Sequence, residues 1–418
     1  MLQKPAPQSE FWPAHAKSPH AKSPNSDNFI SALAEFNRVG KQTEIFEEDG
    51  LRYFVNDYWT AAQRQSNRLH EISYRACFKA ELPDFFIRHL TAAGDRVYDP
   101  FMGRGTTPLQ AALTGRKPVG NDINPLSVML LRPRLRPPSL PEIAARLDEI
   151  DWDWQGDMDE GLLVFYHPKT LRHIHALKYH LLNALQDESH INPVDDWIRM
   201  VALNRLTGHS SGFFSVYTLP PNQAVSIDRQ ARINEKRQQT PPERNVKEII
   251  LKKSKVLLSR SEGFSCSDFT LGTAPAEQTD YIAANSIDLV VTSPPFLDVV
   301  QYAQDNWLRC WFADIDAQTV PISMCRNVAA WTQFTRNTLE ELTRLVKPGG
   351  HIAYEVGEVR NGKILLEKHV AQAAAGLPLQ ILGVIVNQQN FTKTSNCWGV
   401  GNNKKGTNSN RIVLMRRR

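Results

Sequence analysis

The sequence predicts an α/β protein: one sheet domain interrupted by an inserted module. Three observations predict it. A strand, an Ala/Leu-rich helix and a second strand alternate between Arg96 and Asp122, which makes a βαβ unit. Apolar, β-branched residues return far downstream in Ile287-Asp288-Leu289-Val290-Val291-Thr292, a run that reads as a buried parallel strand. Between the two, over residues 151–255, the periodicity weakens and tryptophans, histidines and cations take over.

In chain order, residues 1–28 hold a Pro/Ser/Lys-rich tract in which His-Ala-Lys-Ser-Pro occurs twice, from His15 and from His20. Such a tract cannot bury enough apolar surface to order itself, so it reads as a disordered tail. Residues 29–150 supply N-terminal helices and the first half of the sheet domain. From Phe29 to Leu90 the apolar spacing is mostly helical, closing on the amphipathic Asp84–Leu90. Gly94-Asp95 breaks the chain before the strand Arg96–Asp99, and Pro118–Asp122 is the second strand. The insert, 151–255, carries Trp152, Trp154, a His-bearing helix and Gly208-His209-Ser210-Ser211-Gly212 before a basic end. Residues 256–418 complete the sheet. Alternation resumes near Lys255, with strands Ile287–Thr292, His351–Val356 after a Lys347-Pro348-Gly349-Gly350 turn, Ile381–Asn387 and Arg411–Met415.

Composition excludes several classes. No apolar run approaches the roughly 18 residues of a membrane span, and no apolar signal region opens the chain. The five cysteines are odd in number, scattered and never paired as CxxC. They predict a reducing, cytoplasmic setting without a disulfide framework or a zinc knuckle. Net charge is +5, and Arg229 to Arg260 holds ten Lys and Arg against Glu235, Glu243 and Glu248. One basic segment on a near-neutral body is the electrostatic footprint of a polyanion's partner, or else a solvated helix face.

Asp99-Pro100-Phe101-Met102-Gly103-Arg104-Gly105-Thr106-Thr107 follows one strand and opens a helix. The glycines let backbone approach a ligand, and the helix start offers unpaired N–H groups. Asp122 closes the next strand, where a carboxylate can accept both hydroxyls of a ribose. A third glycine and a phosphate-binding Gly-Lys-Ser/Thr are both missing, so NAD and ATP fit poorly. A nucleoside bearing a carboxylate, such as S-adenosylmethionine, fits better. The second site is the corner Ser293-Pro294-Pro295-Phe296. Neither proline can extend a ladder or a helix, so nearby carbonyls are expected to stay free to accept.

The glycine loop together with Thr292-Ser293-Pro294-Pro295-Phe296 resembles the amino-methylating DNA methyltransferases, which modify cytosine N4 or adenine N6. Gly120-Asn121-Asp122-Ile123-Asn124-Pro125 and Phe78-Lys79-Ala80-Glu81-Leu82-Pro83 are similar to theirs too. The resemblance covers roughly 70–130 and 260–415. It implies a Rossmann-like, S-adenosylmethionine-dependent methyltransferase sheet with an inserted target-recognition module. Phe78, Asp99, Pro100, Phe101, Gly103, Gly105, Thr106, Thr107, Asp122 and Asn124 would then line the cofactor pocket. Asp268 falls where the family has a side chain near the adenine amino group. Arg104 departs from the small residue common there.

On this reading Ser293 Oγ and the Pro294 carbonyl accept the two hydrogens of an exocyclic amine, turning its lone pair toward the methyl group. The base must leave the duplex to be reached, and Phe296 would stack on it. Serine at the first corner position is usual for cytosine-N4 enzymes and favours cytosine over adenine N6. An RNA amino-methyltransferase and a non-catalytic DNA-binding relative fit less well, since no RNA-binding module opens the chain and both motifs are intact. Double-stranded DNA is the expected partner, with Arg229, Arg232, Lys236 and Arg237 as candidate contacts. A cognate restriction endonuclease is a candidate companion by resemblance alone, as is a bacterial cytoplasm. His167, His173, His175 and His180 lack partners at ligand spacing and read as a polar helix face, so no metal is expected.

Overall fold

The computed structural model describes residues 26–38, 40–59, 67–74, 77–186, 190–218, 224–295, 302–322, 325, 327–359, 364–388 and 409–418. Residues 1–25 of the Pro/Ser/Lys tract and Phe296 lie outside the described residues, whereas Ser26, Asp27 and Asn28, expected in the disordered tail, open a helix.

The described chain opens on α1 (Ser26–Glu35), a minimal ladder of β1 (Asn37–Arg38) and β2 (Lys41–Gln42), and an antiparallel hairpin, β3 (Glu44–Glu48) and β4 (Leu51–Asn56). Then come α2 (Glu81–Leu90), β5 (Arg96–Asp99), α3 (Thr106–Leu113) and β6 (Lys117–Asn121). Six helices follow: α4 (Pro125–Leu135), α5 (Leu140–Asp148), α6 (Pro168–Ala184), α7 (Pro193–Leu203), α8 (Ile227–Arg237) and α9 (Val246–Leu258). The chain returns to the sheet with β7 (Thr270–Gly272) and β8 (Ile287–Thr292). α10 (Tyr302–Ala313), α11 (Val328–Leu345) and β9 (Val346–Val356) come next. A second minimal ladder, β10 (Glu358–Val359) with β11 (Ile364–Leu365), precedes α12 (Leu366–Ala374), β12 (Leu379–Gln388) and β13 (Ser409–Arg417).

Nine strands form one sheet in the order β3-β4-β12-β13-β9-β8-β5-β6-β7. From β7 to β9 the neighbours are parallel, while β13 runs antiparallel to both β9 and β12. The βαβ unit and every downstream strand expected from sequence are present. Apolar clusters cover both faces of the sheet, one built around Trp331, Tyr354 and Val290, the other around Phe54, Phe86 and Val291. Burial on both faces explains why these strands read as apolar runs rather than alternating ones.

Two expectations need correcting. The segment 29–90 is not mostly helical, because β3 and β4 lie inside it and β4 pairs parallel with β12. Its local signal was the turn Asp49-Gly50, with φ of 50° and 75°, the geometry of a two-residue hairpin. Lys255 does not restart the sheet either: it sits in α9, and β7 begins only at Thr270. The Lys347–Gly350 segment falls where the β8–β9 register shifts, with Lys347 Nζ 2.6 Å from Asp288 Oδ1.

The helices from α4 to α9 share one apolar core that also takes in Leu308 and Phe312 of α10. Asp195 and Asp196 of α7 anchor it, accepting from Arg146 at 2.8 Å and Arg132 at 2.7 Å. Trp197, next along α7 and fully buried, donates Nε1–H to Ser254 Oγ at 2.9 Å. No helix among the described residues is long and apolar enough to cross a membrane.

From β5 the chain passes to β6 on one side, and from β8 to β9 on the other. In a doubly wound sheet such a reversal opens a crevice outside the carboxyl ends of the strands, where ligands bind. The glycine loop leaves β5 there, and the Ser-Pro-Pro corner leaves β8 beside it.

Candidate active site

Asp99 ends β5 with only 1% of its surface exposed. Its Oδ1 accepts from the Phe101 N–H at 3.1 Å and from Thr292 Oγ1 at 2.6 Å. Thr107 Oγ1, in the first turn of α3, donates to the Val291 carbonyl at 3.0 Å. Two motifs nearly two hundred residues apart in sequence are thereby bonded to each other.

Gly105 caps α3 at φ 78°, and a Cβ there would lie 2.7 Å from Leu131 Cδ1, so the turn admits only glycine. Gly103, at φ 50°, donates its N–H to Asp122 Oδ2 at 2.7 Å, and Asn124 N–H donates to Oδ1 at 2.9 Å. Asn124 also caps α4 and donates Nδ2–H to Tyr74 Oη at 2.8 Å. The Pro100 carbonyl accepts from Asn121 Nδ2 at 3.3 Å, and the Phe101 ring packs 5.7 Å from that of Phe334. Thr106 Oγ1 receives the Arg104 Nε–H at 3.2 Å.

Burial raises both carboxyls, Asp99 to about 7 and Asp122 to about 6, with Asp122 adding to the shift on Asp99. A raised acid destabilises the fold progressively as pH climbs from its unfolded value through its folded one. For Asp99 that window runs from 3.8 to about 7. Asp99→Asn should therefore gain thermal stability relative to the wild type across this window, in melts without ligand. A stability difference that does not change with pH would refute the assignment.

Sequence reasoning missed how the loop is supported. Residues 67–74 cross it as a strap whose carbonyls are taken one after another by cations. Arg134 Nη1 donates to Leu69 at 3.0 Å, Lys253 Nζ to Glu71 at 2.7 Å, Arg104 Nη1 to Ile72 at 3.0 Å and Arg309 Nη2 to Ser73 at 3.0 Å. Arg104 reaches the Phe78 carbonyl as well, at 3.3 Å, and Arg134 Nη2 donates to the carbonyl of Arg104 itself. The departure at Arg104 thus has a structural use. Burial pushes Arg134 down to about 9 and Lys253 to about 8. The strap sets the Tyr74 ring over Gly103, 3.5 Å from where a Cβ would stand.

At the corner, Ser293 and Pro295 are half-buried and Pro294 is buried. The Pro295 carbonyl is not free: it accepts from Trp331 Nε1 at 2.9 Å, which pins the corner to α11. Ser293 follows Thr292, which pairs with Tyr354, so it comes beside Glu355 on β9, a buried acid that nothing in its local sequence marks.

Asp268 does not join the cluster. It precedes β7 rather than following it, sits 68% exposed beside the start of β6, and pairs with Lys117 at 2.8 Å. The residues beside Asp122 are instead those at and just after the end of β7: Asp122 N–H donates to the Gly272 carbonyl, and Asn121 Nδ2 donates to that of Ala274. Arg229, Arg232, Lys236 and Arg237 are all exposed on α8. The first three, at helical spacing, share one face. Arg237 lies 3.8 Å over the Tyr217 ring, beside the face pinned by Gln230 and Asn234. Among the histidines, His180 faces Asp195 at 3.4 Å and His175 faces Asp159 at 3.8 Å. Among the described residues no three His, Cys, Asp or Glu gather to hold a metal ion.

The donor set decides the kind of ligand. Asp122, with lone pairs remaining after its two backbone bonds, suits hydroxyls, and its carboxylate disfavours phosphate.

Comparison with known proteins points to the same family. Residues 16–130 match the family described as DNA methylase. The chain is 32% identical over 93 residues to the type II methyltransferase M.MthZI of Methanothermobacter thermautotrophicus, which covers 22% of this chain and 26% of that one. It is 35% identical over 83 residues to the orphan methyltransferase M.BamHII of Bacillus amyloliquefaciens, covering 19% and 30%. The chain thus spans less than a third of the length of these relatives. Among solved structures, a SAM-dependent methyltransferase from Methanosarcina mazei aligns over 78% of this chain and 94% of its own, at 10% identity and a TM-score of 0.31.

Proposed function

We propose, for a chain that belongs to the amino-methylating DNA methyltransferases, that it transfers a methyl group from S-adenosylmethionine to the N4 amino group of a flipped-out cytosine in duplex DNA. The observation that carries this reading is the bonding of the glycine loop to the Ser-Pro-Pro corner through Thr292–Asp99 and Thr107–Val291. It brings the cofactor end and the target end to one crevice.

S-adenosylmethionine, when bound, supplies a methyl group on a positively charged sulfur, already activated for transfer. Asp122 accepts the ribose hydroxyls. Asp99, Phe101 and the Gly103–Gly105 backbone shape the notch, and Tyr74 closes it from the strap. Ser293 Oγ and the Pro294 carbonyl accept the target amine's hydrogens, so that its nitrogen lone pair is directed and preorganised. Serine at this position favours cytosine N4 over adenine N6. No nucleophile or metal of the protein's own is needed for the transfer.

The decisive experiment incubates the protein with S-adenosylmethionine labelled in the methyl group and either duplex DNA or tRNA, then digests and identifies the labelled nucleoside. N4-methyldeoxycytidine is expected. N6-methyldeoxyadenosine would move the target to adenine, and label in tRNA alone would overturn the DNA reading.

Arg229, Arg232 and Lys236 form the phosphate-anchoring face of α8. Replacing all three with glutamine should weaken DNA binding and lower the magnitude of the log–log salt slope by about 2–3. An unchanged slope would return this face to solvent.

A further inference from the structure

Glu355 occupies an expensive place. It lies on β9 with 7% of its surface exposed, among Ala353, Tyr354 and Val356, all fully buried. Burying a carboxylate in such surroundings costs several kcal/mol unless a cation or a set of hydrogen bonds compensates it. The described groups that face it are neutral. From the end of β8 comes the Ser293 hydroxyl, and from β13 comes Asn410, whose Nδ2 donates to Oε1 at 2.9 Å. The nearest cation along β13, Arg411, turns instead to Glu367 of α12 at 2.7 Å. The β8–β9 register explains the first contact. Thr292 pairs with Tyr354, so the next residues on the two strands, Ser293 and Glu355, come side by side.

We propose that Glu355 is the positioning residue and proton acceptor of Ser293: it holds the hydroxyl hydrogen, and it receives the proton that the methylated amine must shed. The inference rests on the methyl-transfer reading above. With its hydrogen held by Glu355, Ser293 Oγ presents a lone pair, not a hydrogen, to the target amine. As the C–N bond forms and the C–S bond breaks, the positive charge moves from sulfur to the amine nitrogen. That nitrogen gives one proton to Ser293 Oγ while the Ser293 hydroxyl proton passes to Glu355. The products are a neutral thioether, a neutral N-methyl amine and a protonated Glu355, which later releases its proton to water. Burial raises the Glu355 carboxyl above its ordinary value, which makes it a better acceptor.

The test compares Glu355→Gln and Glu355→Asp with the wild type at saturating cofactor, where groups that act on cofactor binding leave kcat unchanged. Glu355→Gln should lower kcat by about a hundredfold, the low end for a positioned proton acceptor. Cofactor affinity and the KM for DNA should stay within about twofold, since neither ligand contacts it directly. The acidic limb of the kcat–pH profile should vanish in Glu355→Gln and shift in Glu355→Asp, with partial recovery of rate. Adding Glu355→Gln to Ser293→Ala should cause no further loss. A readout free of turnover is the infrared titration of the Glu355 carboxyl, which should move in Ser293→Ala. Full kcat with an unchanged acidic limb, or additive losses in the double variant, would overturn the proposal. Should Glu355→Gln fail to fold, an unshifted limb in Glu355→Asp would do so. If the wild type transfers no methyl group to DNA, it is the underlying reading that fails.

Discussion

Ser293→Ala is expected to lower turnover by about a thousandfold while leaving S-adenosylmethionine affinity within about twofold. The size follows from what one preorganised dipole contributes at a reacting centre, where removing a single group costs about a hundredfold to a thousandfold. The selectivity follows from the geometry. Asp99 is held by Thr292 and the loop, and Asp122 by Gly103 and Asn124, so no bond that shapes the cofactor notch passes through the Ser293 side chain. The corner itself should keep its shape, because the Pro295 carbonyl remains tied to Trp331. Alanine would leave the buried Glu355 carboxyl without the neighbouring Ser293 hydroxyl, so a modest fall in thermal stability should accompany the kinetic loss. Single-turnover rates together with calorimetric cofactor titration would check this. Normal turnover would remove Ser293 from the chemistry altogether.

Asp122→Ala should do the opposite, weakening cofactor binding by about a hundredfold, as expected from losing two hydrogen bonds to a charged acceptor. Its carboxylate also receives the N–H groups of Gly103 and Asn124, so the variant should loosen the loop as well as lose the ribose contact. Asp122→Asn keeps one strong acceptor and should fall between the two. The wild type has a pH signature too. Because Asp122 titrates at about 6, affinity should fall as pH drops through that value, where the neutral acid accepts more weakly. Calorimetry on either side of that pH, with Asp122→Asn insensitive over the same span, would establish the role. Equal affinities in wild type and Asp122→Ala would end it.

The two motifs were legible because each is local. A glycine pair between strand and helix, and two prolines after an apolar run, dictate their backbone within a few residues. The sheet was legible for a similar reason, since strands buried on both faces announce themselves as apolar runs. What escaped depends on contacts between distant segments. Trp331, Tyr74 and Glu355 reach the site from α11, from the strap and from β9, and nothing in their own neighbourhoods marks them. Arg134 sits in a Pro/Arg-rich stretch that looks like a surface linker, yet it is fully buried. Asp268 was misplaced by a more instructive route. A turn aspartate reads alike at either end of a short strand, and only pairing of Thr270 with Val119 and Gly272 with Asn121 shows that β7 begins after it. The hairpin β3–β4 was missed because its six-residue inner strand is too short for periodicity to outweigh the helical pattern around it.

The cations that hold the strap have an electrostatic consequence. A carbonyl satisfies a guanidinium's hydrogens without supplying a negative charge, so Arg104 and Arg134, and Lys253 beside them, keep their charge after they are bonded. Arg104 and Arg134 repel each other, which adds to the lowering of Arg134. The carbonyls of the strap therefore hold together cations that would otherwise push apart.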